Sequence, residues 1–272
     1  VCVTAQHREM LDQVLELFDI APDEDLNIME HGQDLTDITS SILISMRAVF
    51  KKYKPDLVLV HGDTTTTLAC SMAAFYADIP IGHVEAGLRT NNIYAPFPEE
   101  FNRQVTSKLA KIHFAPTKSS SENLIQEKYP KSNIFITGNT VIDSLHWVVS
   151  RFKKDSKRKS NILKFLSKYI CFDLDKNKFI LITGHRRENF GKGFIDICEA
   201  LSELAIKFPD MHFVYPVHLN PNVQEPVNAI LSKFKNVHLI PPLDYEPFIY
   251  LLTKCFLVLT DSGGIQEEAP SI

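Results

Sequence analysis

The chain has 272 residues, of which 44% are hydrophobic and 23% are charged, a composition typical of a globular protein with one or two domains. Its 29 lysines and arginines against 33 aspartates and glutamates give a net charge of −4, which excludes a general attraction to nucleic acid or anionic lipid. The longest apolar runs, such as 57–60 and 179–182, are far shorter than the about 18 residues that a membrane-spanning helix needs. We therefore expect no nucleic-acid partner and no membrane segment.

Short apolar runs alternate with longer stretches of helical periodicity from one end of the chain to the other. Consecutive apolar positions in strands that are each followed by a helix predict parallel sheets covered on both faces, and so an α/β fold. The predicted strands are 1–4, 57–61, 81–85, 112–115, 134–137, 179–183, 212–215, 237–240 and 256–260. The predicted helices are 35–53, 64–77, 101–109, 194–207, 223–234 and 247–253.

A basic segment, 151–168, interrupts this rhythm with eight lysines and arginines and a single acid. It carries no aromatic stacking platform, so we interpret it as a solvated helix and connector and not as a nucleic-acid site. We place the boundary between two Rossmann-like domains just before it, giving domains 1–140 and 141–272. Ligands of such domains bind at the carboxyl ends of the strands, which makes the cleft between the two domains the expected active site.

The five cysteines, at positions 2, 70, 171, 198 and 255, include no C-x-x-C pair. Zinc cages and disulfide frameworks usually show closer pairing. We therefore predict core thiols in a protein of the reducing cytoplasm. The first residues already fit a strand and the last fit a helix, so we also expect the chain to be incomplete at both ends.

Acidic residues gather where strands of the first half end. Asp63 follows a strand and Gly62, where it could line a polar site or merely cap the next helix. Glu85 finishes another apolar strand, where it could line the same site or pair with Arg89. Glu99 and its neighbour open a helix, a position that the helix dipole alone would favour for acids.

The second half places basic residues and glycines at its strand ends. His185, followed by Arg186 and another arginine, is a candidate acid or base beside cations suited to phosphate, although the histidine could also be structural. Ser262, Gly263 and Gly264 open a helix directly after a strand; they could cradle a phosphate or simply form a turn. Glu268, one turn later, could receive the two hydroxyls of a ribose.

Several common signatures are missing from the sequence. It contains no G-x-G-x-x-G fingerprint, no G-x-x-x-x-G-K-[ST] loop, no serine nucleophile elbow and no metal-spaced cluster of His and Asp. The residues present suit a nucleotide-sugar ligand and proton-transfer chemistry, with neither a redox cofactor nor a metal.

Taken together, these segments resemble the bacterial non-hydrolysing UDP-N-acetylglucosamine 2-epimerases. The matching stretches are 3–10 (VTAQHREM), 58–67 (VLVHGDTTTT), 82–90 (GHVEAGLRT), 98–100 (PEE), 136–143 (ITGNTVID), 183–188 (TGHRRE), 215–222 (YPVHLNPN) and 259–270 (LTDSGGIQEEAP). The resemblance implies two Rossmann-like domains in the glycosyltransferase-B arrangement, a homodimer, and interconversion of UDP-N-acetylglucosamine (UDP-GlcNAc) with UDP-N-acetylmannosamine (UDP-ManNAc) for surface polysaccharides.

The resemblance also assigns roles residue by residue. Family members eliminate UDP to give 2-acetamidoglucal and then add UDP back with the proton on the other face. By this likeness the catalytic residues are Asp63, Glu85, Glu99 and His185; UDP is held by Phe248, Ser262, Gly263, Gly264 and Glu268; and a second, activating UDP-GlcNAc contacts Gln6, Gln33, Glu99, Arg186 and His218. Which carboxylate acts on which face of the sugar stays open.

The sequence also departs from the family pattern. The family's opening strand with its G-T-R-P-E loop is absent, as is the C-terminal half of the second domain. We therefore predict that the 272-residue chain alone is inactive and poorly stable. The alternative functions are a glycosyltransferase-B-type sugar transferase and a catalytically dead regulator that binds UDP-sugars; a hydrolysing epimerase matches the motifs less well.

Overall fold

Strands and helices alternate in the computed structural model, which describes residues 1–6, 8–30, 32–184 and 190–272. The chain divides into two compact units, Val1–Thr140 (unit 1) and Val141–Ile272 (unit 2). Every strand pair in both units is parallel, as βαβ connections require. The predicted α/β class with two Rossmann-like sheets is confirmed.

Unit 1 contains a four-stranded and a two-stranded sheet. The elements of unit 1 are β1 (Cys2–Val3), α1 (Arg8–Leu17), β2 (Glu24–Asp25), α2 (Leu35–Tyr53), β3 (Val58–His61), α3 (Thr65–Tyr76), β4 (Ile81–Val84), α4 (Glu99–Leu109), β5 (Ile112–Ala115), α5 (Lys118–Gln126), β6 (Ile134–Ile136) and the first residue of α6 (Thr140–Lys154). The larger sheet has the order β3-β4-β5-β6, and among the described residues β1 pairs only with β2.

Unit 2 holds a four-stranded sheet. Its elements after α6 are α7 (Ser156–Leu166), β7 (Phe179–Thr183), α8 (Lys192–Lys207), β8 (His212–Pro216), α9 (Pro221–Leu231), β9 (Val237–Ile240), α10 (Tyr245–Lys254), β10 (Leu257–Thr260) and α11 (Gly263–Glu268). The strand order is β10-β7-β8-β9, so that β7, β8 and β9 follow one another in one direction and β10 lies on the other side of β7.

Helix α2 shows how the sequence specifies these elements. Asp34 caps it by accepting from the N–H groups of Thr36 and Asp37, and the Asp37 side chain accepts from the Asp34 N–H in return, a capping box. Ile42, Met46, Val49 and Phe50 are buried along one stripe, as the 3–4-residue spacing predicts. The helix ends at Lys54, which adopts a left-handed conformation with φ +44°.

A slot of about 530 Å³ in unit 1 is lined by both β1 and β3. Apolar side chains of α2 and β3 contribute to its wall, among them Met46, Phe50 and Val60. Leu57 and Leu59 remain 38% and 60% exposed beside it. The facing edges of β1 and β3 therefore carry unpaired backbone groups and uncovered apolar surface.

Two groups of elements differ from the sequence-based expectation. Helix α5 was not predicted because its sequence, KSSSENLIQ, is polar; Thr117 caps it, and Leu124 is its one buried apolar side chain. Helices α1 and α6 and the short strand β2 were also not predicted as elements, whereas α7 lies within the basic segment 151–168, for which a solvated helix was expected. The prediction of core thiols holds for Cys70 and Cys198 but is wrong for Cys2 and Cys171, which are exposed because they lie at an unpaired strand edge and in a loop.

Two features, a membrane-spanning helix and a metal-binding cluster, are absent from the described residues. None of their helices combines the length and apolarity needed to cross a membrane. Within the same ranges, no group of three or more His, Cys, Asp or Glu side chains is placed to hold a metal ion.

Candidate functional site

The turn after β3 presents Asp63 at the carboxyl end of the unit 1 sheet. Gly62 adopts φ +70°, a conformation that favours glycine, and lets the chain turn into α3. Thr64, not Asp63, is the N-cap of α3, because its hydroxyl accepts from the Thr67 N–H at 3.3 Å. The Asp63 carboxylate is therefore not used for capping, which resolves the alternative that the sequence left open.

Glu85 lies beside this turn, one residue beyond β4. Its backbone has φ +66°, a left-handed conformation rare for a residue with a Cβ and often found at functional sites. A Cβ on Gly62 would come within 3.2 Å of Glu85 Oε2, so the glycine allows the carboxylate to pack against the turn. His61 Nδ1 lies 3.9 Å from Glu85 Oε2; burial lowers the pKa of His61, and the nearby Asp63 carboxylate opposes this effect.

Arg89 does not supply the partner of Glu85 that the sequence suggested. Its side chain is 2% exposed and bonds Glu127, with Nε to Oε1 at 2.6 Å and Nη2 to Oε2 at 3.1 Å. Two residues earlier, Gly87 packs so closely on α5 that a Cβ there would lie 2.2 Å from the Ser120 carbonyl oxygen. The loop that carries Glu85 is thus fixed to α5 by other residues.

The two acids that open α4 have different environments. Glu100 is fully buried and accepts from the Thr90 N–H, the Asn91 N–H and the Gln104 amide. Burial alone would raise the pKa of Glu100, but these hydrogen bonds together with Arg103 lower it. Glu99 is half-buried. Glu100 therefore anchors the preceding loop, and Glu99 is the acid that is available to a ligand.

Arg103, one helical turn after Glu99, connects these acids to Asp63. Its Nη2 lies 2.6 Å from Asp63 Oδ2, and its Nη1 lies 3.4 Å from Glu100 Oε2. Burial raises the pKa of Asp63; Arg103 opposes the shift and the Glu99 carboxylate adds to it. Asp63 and Glu99 are thus close enough to interact electrostatically. Unit 1 therefore brings together Asp63, Glu85 and Glu99 around two neighbouring strand ends.

Two buried histidines lie beneath this site on adjacent strands. His83 and His113 face each other in the β4–β5 register, and the Nδ1 atoms of both rings have no hydrogen-bond partner among the described residues. His83 Nε2 bonds the Gly62 carbonyl at 2.7 Å, which assigns the donor proton to that nitrogen. Burial lowers the pKa of each to about 4.

These histidines predict a loss of stability in mild acid. At about pH 7.5 both histidines are largely neutral in the folded and in the unfolded chain. Below about pH 6.5 the unfolded chain binds protons at these histidines, whereas the folded chain does not bind them until the pH falls to about 4. At about pH 5 this amounts to about 2 kcal/mol per histidine. We expect His113→Phe to remove its share, measured as a smaller drop in the free energy of urea unfolding between about pH 7.5 and about pH 5. An unchanged drop, or an equal change in the exposed control His146→Phe, would contradict this assignment.

In unit 2, the polar strand ends meet at β7 and β10, where the strand order reverses. The Thr183 and Thr260 hydroxyls lie 2.6 Å apart, and the Asp261 N–H donates to the Thr183 carbonyl at 3.2 Å. The Tyr215 hydroxyl donates to the Gly184 carbonyl at 2.9 Å. Such a reversal is the usual ligand position of an open α/β sheet.

Helix α11 begins at this same reversal point. Ser262 is its N-cap and makes no side-chain capping bond within the described residues, among which the nearest atom to a Cβ on Gly264 would be Ser262 Oγ at 3.9 Å. Backbone N–H groups of a first turn lack partners within the helix and suit an anion. Glu268 is 7% exposed, and burial, followed by Glu267, raises its pKa. Phe248, on α10, is half-buried.

The residues predicted to hold an activator are only partly described. Gln6 accepts from the Thr66 hydroxyl at 2.9 Å. The Gln33 side chain donates to the Ile28 carbonyl and accepts from the Glu30 N–H, which fixes it in its own loop. His218 Nδ1 accepts from the Asn220 N–H at 3.1 Å. The predicted residues His185 and Arg186 lie outside the described residues.

Sequence reasoning missed two residues of the unit 1 site. Arg103 could have been found from its spacing, since i, i+4 places it on the same helix face as Glu99. His61 was passed over because it ends a strand, where a single histidine is no signal by itself. The role of Glu100 in fixing the loop depends on contacts that no local pattern predicts.

Comparisons with known proteins agree on one family. The family model described as UDP-N-acetylglucosamine 2-epimerase matches residues 1–272. A UDP-N-acetylglucosamine 2-epimerase of Escherichia coli (strain K12) is 59% identical over 100% of this chain and 71% of its own length. The crystal structure of UDP-GlcNAc 2-epimerase from Neisseria meningitidis bound to UDP-GlcNAc gives a TM-score of 0.88 at 53% identity, covering 99% of this chain and 71% of that one. The Methanocaldococcus jannaschii enzyme in complex with UDP-GlcNAc and UDP gives a TM-score of 0.76 at 30% identity, covering 98% and 72%.

Proposed function

Because the chain belongs to the UDP-N-acetylglucosamine 2-epimerase family of carbohydrate isomerases, we propose that it interconverts UDP-GlcNAc and UDP-ManNAc without hydrolysing the sugar nucleotide. The observation that carries this proposal is the grouping of Asp63, Glu85 and Glu99 at the strand ends of unit 1, with Arg103 against Asp63. Carboxylates in different states of burial and pairing can divide the roles of acid and base.

We propose that the reaction proceeds by elimination and re-addition, since the C2 hydrogen of the sugar is not acidic. A carboxylate removes the C2 proton, the C1–O bond breaks with its electron pair leaving on the diphosphate, and 2-acetamidoglucal forms with a C1–C2 double bond. The diphosphate oxygen of UDP then attacks C1, while a carboxylic acid delivers a proton to the opposite face of C2. This sequence needs one base, one acid and stabilisation of the leaving diphosphate.

We propose that unit 2 supplies the binding groups for UDP. Ser262, Gly263 and Gly264 would hold the diphosphate at the start of α11, and Phe248 would stack near the uracil. The Glu268 carboxylate would accept hydrogen bonds from the two ribose hydroxyls. Burial raises the pKa of Glu268, and these hydroxyl donors would satisfy the buried carboxylate. His185, which follows β7, would act near the leaving diphosphate.

We also propose a second UDP-GlcNAc as activator, held by Gln6, Gln33, Glu99, Arg186 and His218, and a homodimer that supplies ManNAc units for surface polysaccharides. All five cysteines are free thiols, which favours a reducing cytoplasm. The activator is tested with UDP-ManNAc as substrate: we expect added UDP-GlcNAc to raise the initial velocity. A hyperbolic curve that UDP-GlcNAc does not change would contradict activation.

The function itself is tested by proton NMR on UDP-GlcNAc alone, with the chain flanked by the terminal segments of the Escherichia coli relative. The expected result is UDP-ManNAc, formed without an acceptor and without release of free ManNAc. A requirement for an acceptor would favour a sugar transferase, and release of ManNAc would favour a hydrolysing epimerase. Binding of UDP with no turnover would favour a regulator.

A further inference from the structure

Arg103 is not among the catalytic or ligand-binding residues proposed above, yet its side chain joins two of the acids at the unit 1 site. The side chain is 11% exposed, and its Nη2 lies 2.6 Å from Asp63 Oδ2. A charge-assisted bond of this length is among the stronger hydrogen bonds in proteins. We propose that Arg103 is a positioning residue that holds the Asp63 carboxylate against the first turn of α4, and so fixes Asp63 relative to Glu99; this inference rests on the proposed function.

The second partner of Arg103 makes its position definite. Its Nη1 lies 3.4 Å from Glu100 Oε2, and Glu100 is itself held by the backbone of the 90–91 loop and by Gln104. A planar guanidinium between two carboxylates has few alternative placements. A displacement of the Asp63 carboxylate therefore breaks its bond to Arg103 unless Arg103 moves with it.

The neighbouring residue Asn102 contacts the backbone of the same acid. Its side-chain amide is 2.8 Å from the Asp63 carbonyl oxygen, to which it donates. Asn102 thus fixes the backbone of Asp63, while Arg103 fixes its carboxylate. Both belong to the helix that starts at Glu99, so one rigid turn positions two of the three proposed catalytic carboxylates.

The charges around Asp63 give this arrangement a chemical consequence. Burial favours the protonated acid, and the Glu99 carboxylate acts in the same direction. Arg103 is the cation that opposes both effects. Removing it leaves a partly buried acid beside a like charge, which raises the pKa of Asp63 further.

The test compares Arg103→Gln and Arg103→Lys with the matched control Arg89→Gln. Arg89 is also a buried arginine of unit 1, but its ion pair is with Glu127. The carboxyl carbon of Asp63, labelled with ¹³C and assigned by its loss in Asp63→Asn, is titrated by NMR in each folded variant. We expect Arg103→Gln to raise the Asp63 midpoint by about one pH unit or more. Arg103→Lys, which keeps the positive charge, is expected to return the midpoint most of the way to the wild-type value, and Arg89→Gln to leave it unchanged.

An unchanged Asp63 midpoint in folded Arg103→Gln would overturn the proposal, as would an equal shift in Arg89→Gln. The titration needs no turnover, so it separates this inference from the proposed function. Where the wild-type protein is active, the limb of the pH–rate profile that Asp63 controls is expected to move with the NMR midpoint, with kcat falling more than KM rises. A fall in kcat with an unmoved profile would indicate a purely structural role and contradict positioning.

Discussion

Replacing any one of the three unit 1 carboxylates with its amide is expected to lower the turnover of UDP-GlcNAc at least about 100-fold, the usual contribution of a general acid or base. The variants are Asp63→Asn, Glu85→Gln and Glu99→Gln, which keep the side-chain size but remove the titratable acid–base group and its negative charge. Turnover is measured by proton NMR from the appearance of UDP-ManNAc. The matched control is Glu122→Gln, an exposed acid on α5 of the same unit, which should keep wild-type turnover.

A fourth substitution, Glu100→Gln, separates an effect on stability from an effect on turnover. Glu100→Gln is expected to act mainly on stability, because Glu100 binds the loop at residues 90–91 and is fully buried. Near-normal turnover in a folded Asp63→Asn, Glu85→Gln or Glu99→Gln variant would remove that carboxylate from the mechanism. Equal losses in the Glu122→Gln control would show that the assay reports something other than the site.

The second large effect concerns the uncovered sheet edges. We expect the 272-residue chain to gain stability, and at least about 100-fold in turnover, when flanked by the terminal segments of the Escherichia coli relative. Leu57 and Leu59 of unit 1 are 38% and 60% exposed, and Leu257 of unit 2 is 48% exposed. Covering the exposed part of one such side chain contributes about 0.5–2 kcal/mol, and small displacements at a site can cost about 100-fold in rate.

Urea unfolding followed by circular dichroism, together with the NMR turnover assay, measures both gains. The control carries flexible Gly/Ser segments of the same lengths, which add chain without covering the edges. Turnover of the 272-residue chain within a few-fold of the flanked form would contradict the prediction, and so would equal stabilisation by the Gly/Ser segments.

Much of the fold could be predicted from local patterns because apolar spacing and capping residues act over short distances. Helix α2 has the predicted bounds, since its capping box and apolar stripe lie in one segment. Strand ends were also predictable, because the polar residues that follow buried strands mark the carboxyl edge of a parallel sheet. Helix α5 was missed because serines, not apolar residues, fill much of its buried side.

The site was less predictable because its pairings are distant in sequence. Arg89 pairs with Glu127, 38 residues away, and not with the nearby Glu85. The choice between Glu99 and Glu100 depends on which side chain the loop at residues 90–91 covers. Thr64 caps α3 in place of Asp63, although both residue types are good caps. Local spacing therefore identifies these residues as candidates, and their roles depend on tertiary contacts.

Hydrogen exchange at C2 of the sugar is the most direct test of elimination and re-addition through the unit 1 carboxylates. UDP-GlcNAc is incubated in D2O with the most active form of the protein, and position 2 is followed by NMR in both sugar nucleotides. Elimination and re-addition through the unit 1 carboxylates predicts deuterium at C2 of UDP-GlcNAc and UDP-ManNAc with no acceptor present, and its loss in Asp63→Asn, Glu85→Gln and Glu99→Gln. UDP-ManNAc that retains the original C2 hydrogen, or exchange that persists in these variants, would contradict it.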